Sequence, residues 1–282
     1  MEYVTLSNGL KMPLLGFGVY QVPDLAECER VVSDAIQTGY RLIDTAQAYG
    51  NEEAVGRAIQ KSDIPREDFF ITSKIWISNF GYEKAKTSIE KSLASLQTDY
   101  IDLMLLHQPF NDYYGAYRAL EEYYKAGKIK AIGVSNFSPD RLADLAIFND
   151  ITPMVNQVET HVFNQQIEAQ KTMAEYGVQI ESWGPFAEGK NNLFTNETLV
   201  RIGKQYNKTA AQVALRYLIQ QGIVAIPKTV HKERMTQNMD IFDFSLSDED
   251  RADILQLDKG ESQFLSHVDP ETVKRISAFT ID

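Results

Sequence analysis

The sequence predicts a parallel α/β barrel of eight strands and eight helices. Short apolar runs alternate with amphipathic stretches nearly to the end of the chain. The runs recur at intervals of roughly 23 to 33 residues, the length of one βα unit. They also end alike. Leu42-Ile43 runs into Asp44, Phe69-Phe70-Ile71 into Lys74, and Ile101–Leu106 into His107. Ile132-Gly133-Val134 runs into Ser135-Asn136, Met154-Val155 into Asn156-Gln157, and Val224-Ala225-Ile226 into Pro227-Lys228. The carboxyl ends of barrel strands are where active sites are built. The pattern therefore points to a ring of polar groups at one face, and so to an enzyme.

The elements follow in order. Val4 to Leu6, Asn8-Gly9 and Leu10 to Met12 predict a β-hairpin with a type I′ turn. A strand over 14–18 follows, then strands near 41–45, 69–74, 100–106, 131–135, 154–158, 178–183 and 223–227. Helices are predicted at 26–38, 52–60, 82–97, 116–126, 139–147, 165–176 and 209–221. Gly39, Gly127, Gly177 and Gly222 sit where a left-handed helix cap is wanted. Ser138-Pro139 suits a helix start, with serine as cap and proline in the first turn. The last strand interval, roughly 44 residues, leaves room for a further helix near 196–206. The stretch from Ser247 to Asp253 reads as another helix start, its acidic first turn favouring the positive dipole end. Residues from about Lys259 to Asp282 read as a tail over the barrel mouth. No stretch of linker composition divides residues 1–282, which are read as one domain. The fold class is thus a (β/α)8 TIM barrel with an amino-terminal hairpin cap.

Composition narrows the function. The chain has 282 residues and a net charge of −11, with no Lys/Arg tract, which argues against nucleic acid. No apolar stretch reaches membrane-spanning length. A lone cysteine, Cys28, lies on the apolar stripe of a predicted helix and reads as core filler. It suits a reducing compartment, and no signal-peptide pattern opens the chain. A cytoplasmic location is expected. A doubly wound sheet would carry a glycine fingerprint, but Gly16-Phe17-Gly18 has Gln21 where the third glycine belongs. Neither a Walker loop nor a His/Cys cluster with zinc spacing is present, so no metal is expected.

Four strand-end and loop residues carry the chemistry. Ring closure brings Asp44, Tyr49, Lys74 and His107 to one barrel mouth. Tyrosine ordinarily holds its proton to about pH 10. A neighbouring Lys74 ammonium is expected to lower that value, and Asp44 to hold the lysine charged. His107 can donate a hydrogen bond to a substrate oxygen. The set suits protonation of an oxygen that gains negative charge, as when hydride adds to a carbonyl.

With these residues assembled, the chain resembles the aldo-keto reductases over essentially its whole length. The resemblance is carried by Met12–Tyr20, Gly39–Ala46 with Tyr49–Glu52, Ile71–Lys74, Leu105–His107, Ile132–Phe137, Val155–Glu159 and Ile226–Thr229. Glu181-Ser182-Trp183-Gly184-Pro185 makes it most similar to bacterial members such as 2,5-diketo-D-gluconate reductases. The resemblance implies Tyr49 as general acid, supported by Asp44, Lys74 and His107. It implies NADPH as cofactor. Ser135, Asn136 and Gln157 would bind the nicotinamide carboxamide, and Trp183 would stack on the ring. Lys228, Thr229 and Arg234 would hold the 2′-phosphate, and Gln237 and Asn238 the adenine. Gly18, Val19, Tyr20, Gly184, Pro185, Phe186, Gly189, Ile226, Pro227, Val230 and His231 complete the expected groove. Tyr20, Trp76, His107 and Gln108 would face a small carbonyl substrate.

The chain departs from the family at two places. His231 stands where some relatives carry another arginine, so NADH is a weaker second cofactor. Gln108 precedes Pro109-Phe110 where many relatives place tryptophan, giving a more polar wall. The expected activity is reduction of aldehydes and ketones, including small dicarbonyls, aromatic aldehydes and keto sugars or acids, by a monomer. Two other readings remain open: an aldolase using Lys74 as a Schiff base, and a non-catalytic NADPH-binding redox-sensing subunit.

Overall fold

Strands buried on both faces read as continuous apolar runs, and such runs pair in parallel only when helices cover them. The computed structural model describes residues 1–281. The last residue of the predicted tail, Asp282, lies outside the described residues. An antiparallel hairpin of β1 (Tyr3–Thr5) and β2 (Lys11–Pro13) comes first. Eight parallel strands follow: β3 (Gly16–Gly18), β4 (Leu42–Asp44), β5 (Phe70–Ile75), β6 (Ile101–Leu106), β7 (Ile129–Ser135), β8 (Val155–Glu159), β9 (Gln179–Trp183) and β10 (Val224–Ala225). They lie in sequence order, and a parallel bridge from Leu15 to Ala225 joins first to last and closes the ring. The predicted (β/α)8 barrel is therefore the observed fold.

Several local predictions are corrected. The hairpin does not turn through type I′, which needs positive φ at both central residues. Only Gly9 has it, at 87°. The loop closes with Leu6 N–H on Leu10 O at 2.9 Å and Gly9 N–H on Leu6 O at 2.8 Å. The Asn8 amide is used elsewhere, donating to Lys130 O at 2.9 Å near the start of β7. This ties the hairpin to the barrel end opposite the candidate site. The last strand spans two residues rather than 223–227, because Pro227 has no N–H to extend a ladder. The helix predicted at 116–126 starts earlier, at Tyr113, where the Asp112 carboxylate accepts from Gly115 N–H at 2.9 Å. The one predicted from 165 starts at Ile167, since Gln166 is left-handed with φ 58°. Pro139 opens its helix as predicted, but the Ser138 hydroxyl donates to Asp140 at 2.5 Å instead of capping the backbone.

Other predictions hold. Gly39 ends its helix at φ 112°, with its N–H on Ala35 O and Ile36 O, both at 3.1 Å. Cys28 is buried, and burial pushes its thiol up to about 12, as suits filler. Two helices were not predicted, Lys232–Met239 and Pro270–Ser277. The second belongs to the tail, which does cross the mouth. Trp76 Nε1–H donates to Phe279 O at 2.7 Å, and Ser78 Oγ lies 3.3 Å from both Ile281 N and O. At the other end of the tail, Glu159 accepts from Gln263 N–H at 2.7 Å and from the Ser262 hydroxyl. Among the described residues no helix is long and apolar enough to cross a membrane.

Gly133 in β7 marks how closely the barrel is packed. A Cβ there would lie 2.4 Å from Val155 O and 2.8 Å from Leu105 Cδ2. Backbone on one side cannot withdraw, so Gly133→Ala should destabilise by about 1–3 kcal/mol. The urea midpoint reads this directly, and an unchanged midpoint would show that β7 and β8 separate at no cost.

Candidate active site

Strand pairing decides which side chains meet. β4 ends at Asp44 and β5 lies beside it, which brings Lys74 across to the Asp44 carboxylate. Lys74 is fully buried and Asp44 is 2% exposed. The Nζ lies 2.6 and 2.7 Å from the two Asp44 oxygens and 2.9 Å from Thr45 O. An ammonium has three protons, and these contacts occupy them. The Tyr49 hydroxyl, at 3.4 Å from Nζ, is the looser fourth neighbour. Burial works against the Lys74 charge, but Asp44, with Tyr49 and Glu181 adding to it, outweighs burial and the ammonium is held above its ordinary value.

Tyr49 sits on a short 3-10 turn, Gln47–Tyr49, just past β4. Asn51 pins this loop from beneath. Its Oδ1 accepts from the Thr45 hydroxyl at 2.7 Å, and its Nδ2 donates to Val19 O and Val22 O at 3.0 and 3.1 Å. The phenol corrects a prediction: its acidity is not raised. Burial pushes Tyr49 up to about 12, past the downward pull of Lys74. Charge pairing adds to the effect of burial. Lys74 spends its field on Asp44, whose carboxylate pushes the phenol the other way.

His107 follows β6 and packs its ring edge-on to Tyr49, with centroids 5.6 Å apart. Burial first, then Lys74, holds the imidazole well below its ordinary value, so it is neutral. Its Nδ1 has no partner among the described residues. Tyr20 stacks obliquely on Tyr49 at 5.1 Å, and Trp76 meets His107 edge-on at 5.0 Å. All four predicted tetrad residues therefore converge, walled by predicted pocket aromatics. Gln108 is buried beside them, 3.5 Å from Asn136 Nδ2.

A second cluster lies across the barrel. Ser135, Gln157 and Glu181 are register partners on β7, β8 and β9. Gln157 does not end its strand as read from the sequence. It stands mid-strand, and Asn156 points elsewhere, donating to Phe137 O at 2.9 Å. The Ser135 hydroxyl donates to Gln157 O at 2.8 Å. Asn136, left-handed at φ 65°, donates to His107 O at 3.2 Å and accepts from Trp183 Nε1–H at 2.8 Å. The half-buried Trp183 also meets Phe264 of the tail at 5.4 Å. A cavity of about 600 Å³ opens beside this cluster, bounded by Asn136, Val158, Glu159, Phe264 and His267. Tyr49 does not line it.

The third cluster follows β10. Lys228, His231, Arg234 and Gln237 are exposed, whereas Thr229 and Asn238 are buried. Neither Lys228 nor Arg234 enters an ion pair among the described residues, although acidic residues outnumber basic ones in this chain. Both lie at the amino end of helix Lys232–Met239, where backbone N–H groups favour an anion. Gly18 approaches this side closely, as a Cβ on it would lie 3.2 Å from Ile226 O. The loop with Phe186 and Gly189 is irregular, with positive φ at Ala187, Glu188 and Gly189. Gln21 reaches across to Glu188 at 3.2 Å.

Sequence reasoning missed three contributors. Glu181 appeared only within a motif, although its register with Gln157 follows from the strand alternation. His267 comes from the tail and stacks on Phe110 at 6.2 Å. Gln47 braces the mouth through Trp76 N–H at 3.1 Å and Asn79 at 3.0 Å.

Known proteins resemble this chain over most of its length. The model of the aldo/keto reductase family matches residues 14–259. The chain is 48% identical over 261 residues to glyoxal reductase of Bacillus subtilis (strain 168), covering 92% of this chain and 94% of that one. A Bombyx mori aldo-keto reductase solved in complex with NADP superposes with a TM-score of 0.88 at 30% identity, covering 97% and 96% of the two chains. A structure provisionally assigned as 2,5-diketo-D-gluconic acid reductase B superposes with a TM-score of 0.90 at 39% identity, covering 96% and 97%.

Two histidines, the buried His107 and the partly buried His267, set an acid limit. Burial drives His267 down to about 4, and His107 also lies well below the ordinary 6.5. Below pH 6.5 the unfolded chain takes up protons that the folded chain refuses, so stability present above 6.5 is lost toward pH 4. His267→Gln should shrink the fall in Tm between neutral and mildly acid buffer. An equal fall in both proteins would mean that His267 titrates normally.

Proposed function

The chain belongs to the aldo/keto reductase family, and from that premise we propose that it is an NADPH-dependent carbonyl reductase with Tyr49 as its general acid. One observation carries this reading. The Tyr49 hydroxyl lies 3.4 Å from an ammonium whose protons are already engaged, which leaves its own O–H free to donate. With a phenol pushed up to about 12, the proton stays on at any physiological pH. It leaves only when a substrate oxygen gains charge and becomes the stronger base. Lys74 then stabilises the phenolate that forms, so its charge acts in the transition state rather than before it. His107, neutral and beside Tyr49, offers a second N–H to the same oxygen.

The residues present fit the nicotinamide cofactor. Gln157 and Asn136 offer amides and Trp183 a half-buried ring. Lys228, Arg234 and a helix amino end supply positive charge without an ion-pair partner among the described residues, as a 2′-phosphate requires. When bound, the reduced nicotinamide supplies the hydride. His231 stands where an arginine would be permanently charged, which narrows the preference for NADPH and admits NADH as the weaker donor. The likeness to a glyoxal reductase supports small dicarbonyls as the first substrates to try. The walls of Tyr20 and Trp76 suit aromatic aldehydes as well.

The Schiff-base reading is disfavoured, because it needs a neutral and accessible amine. Lys74 is buried, paired and held charged. A purely sensory subunit would have no use for the intact acid and its supports.

Tyr49→Phe should lower kcat for methylglyoxal by about 10²–10⁴-fold with NADPH affinity nearly unchanged. Retention of kcat would remove Tyr49 from the acid role. Lys228→Ala with Arg234→Ala should raise KM for NADPH by about 10–100-fold and leave KM for NADH almost unaltered. Equal rises for both cofactors would place the 2′-phosphate elsewhere.

A further inference from the structure

We propose that Glu181 is a positioning residue: with Asp44 it fixes the Gln157 amide so that the amide oxygen is presented to the nicotinamide carboxamide. This deepens the proposed function and rests on Gln157 taking that carboxamide.

The geometry is specific. Glu181 is fully buried on β9, opposite Gln157 in the strand register. Gln157 Nε2 donates to Glu181 Oε2 at 3.0 Å and to Asp44 Oδ2 at 2.9 Å. Both amide protons are thereby used, and the amide oxygen is left without a protein partner among the described residues. A glutamine amide is otherwise free to turn over, since its two ends are nearly the same shape. Two acceptors on one side remove that freedom. What Gln157 then offers a ligand is an acceptor, which suits the NH2 of a carboxamide.

Charge counting says which form of Glu181 does this. The charged groups facing it are Asp44 on β4 and Lys74 on β5. β8 contributes the neutral Gln157, and β10 contributes the apolar register partner Val224. Lys74 already pairs with Asp44, so a second carboxylate here would be buried without a counter-charge. Burial first, then Asp44, pushes Glu181 up to about 8. Its other oxygen, Oε1, has no partner among the described residues. At neutral pH Glu181 is therefore an uncharged acid. Above its midpoint it places a second negative charge beside the amide that meets the nicotinamide, which favours the cationic, oxidised ring.

The test is cofactor binding without substrate, followed by nicotinamide fluorescence for NADPH and by its displacement for NADP+. Glu181→Leu should weaken NADPH binding about tenfold while melting no lower than wild type, because an apolar side chain suits that site. Glu181→Gln keeps a neutral acceptor for Gln157 and should restore affinity to within about twofold. In wild type the affinity for NADP+ relative to NADPH should rise as pH passes through about 8, and in Glu181→Gln the ratio should stay flat. Gln157→Leu separates the two readings. If it weakens NADPH binding while Glu181→Leu does not, Glu181 has no positioning role and the proposed function stands. If Gln157→Leu binds NADPH normally, the carboxamide assignment falls and the present proposal with it. A ratio that rises equally in Glu181→Gln would also overturn the proposal.

Discussion

The site is organised by one buried ion pair. Lys74 and Asp44 lie out of water at 2.6 Å, and everything chemical in the mouth is arranged around them. Such a pair is weak evidence for stability, because two ions lose hydration that their attraction only partly restores. A barrel of this size can carry that penalty through its core, which runs unbroken from Leu6 in the hairpin to Ile254. The pair also consumes hydrogen bonds with little slack. Asp44 takes Lys74 on both oxygens and Gln157 on one of them. Lys74 spends its remaining proton on Thr45 O. One ion pair thus connects the proposed acid, Tyr49, to the proposed nicotinamide floor, through Gln157 and Glu181.

The mouth is held differently. The tail touches the barrel through a few anchors separated by exposed chain. Glu159 grips its start, with His161 behind: Phe163 N–H donates to His161 Nδ1, which leaves Nε2–H to donate to Glu159 at 3.0 Å. Trp76 grips its end through Phe279 O. Between these points Val268 is 78% exposed and the helix Pro270–Ser277 buries only Thr272. Few buried apolar contacts mean a low local opening free energy. The buried floor of the candidate site and the loosely anchored roof therefore belong to different stability classes within one fold.

Much of this was legible in the sequence, for a physical reason. Strand spacing and glycine caps are local, and ring closure converts local order into position. Knowing that Asp44 ends one strand and Lys74 nearly ends the next is enough to predict that they meet. Gln157 was found for a partly wrong reason, since it stands mid-strand and its partner Glu181 was passed over. Alternation on adjacent parallel strands would have paired them, given the register. The helix at Lys232–Met239 was missed because only Met235 and Asn238 are buried on it, too few to leave an apolar stripe. The tail was beyond local reasoning. His267 reaches Phe110, and Phe279 reaches Trp76, across separations that no periodicity encodes.

The phenol shows where residue-by-residue electrostatics goes astray. Lysine beside tyrosine suggests an acidic tyrosine, and the sequence supports that simple expectation. The fold adds two things: desolvation, which opposes any phenolate, and Asp44, which cancels much of the ammonium's field. The outcome is a weak acid at rest, which suits the proton-donating role proposed for Tyr49. A tyrosine ionised at neutral pH would have no proton to give, and one activated in advance would spend its stabilisation on the ground state. Here the lysine charge is already in place and already dehydrated, at 3.4 Å. It needs no reorganisation when negative charge arrives on the phenol oxygen. The pair of Asp44 and Lys74 is thus better understood as a preset field awaiting a charge than as a device for shifting a pKa.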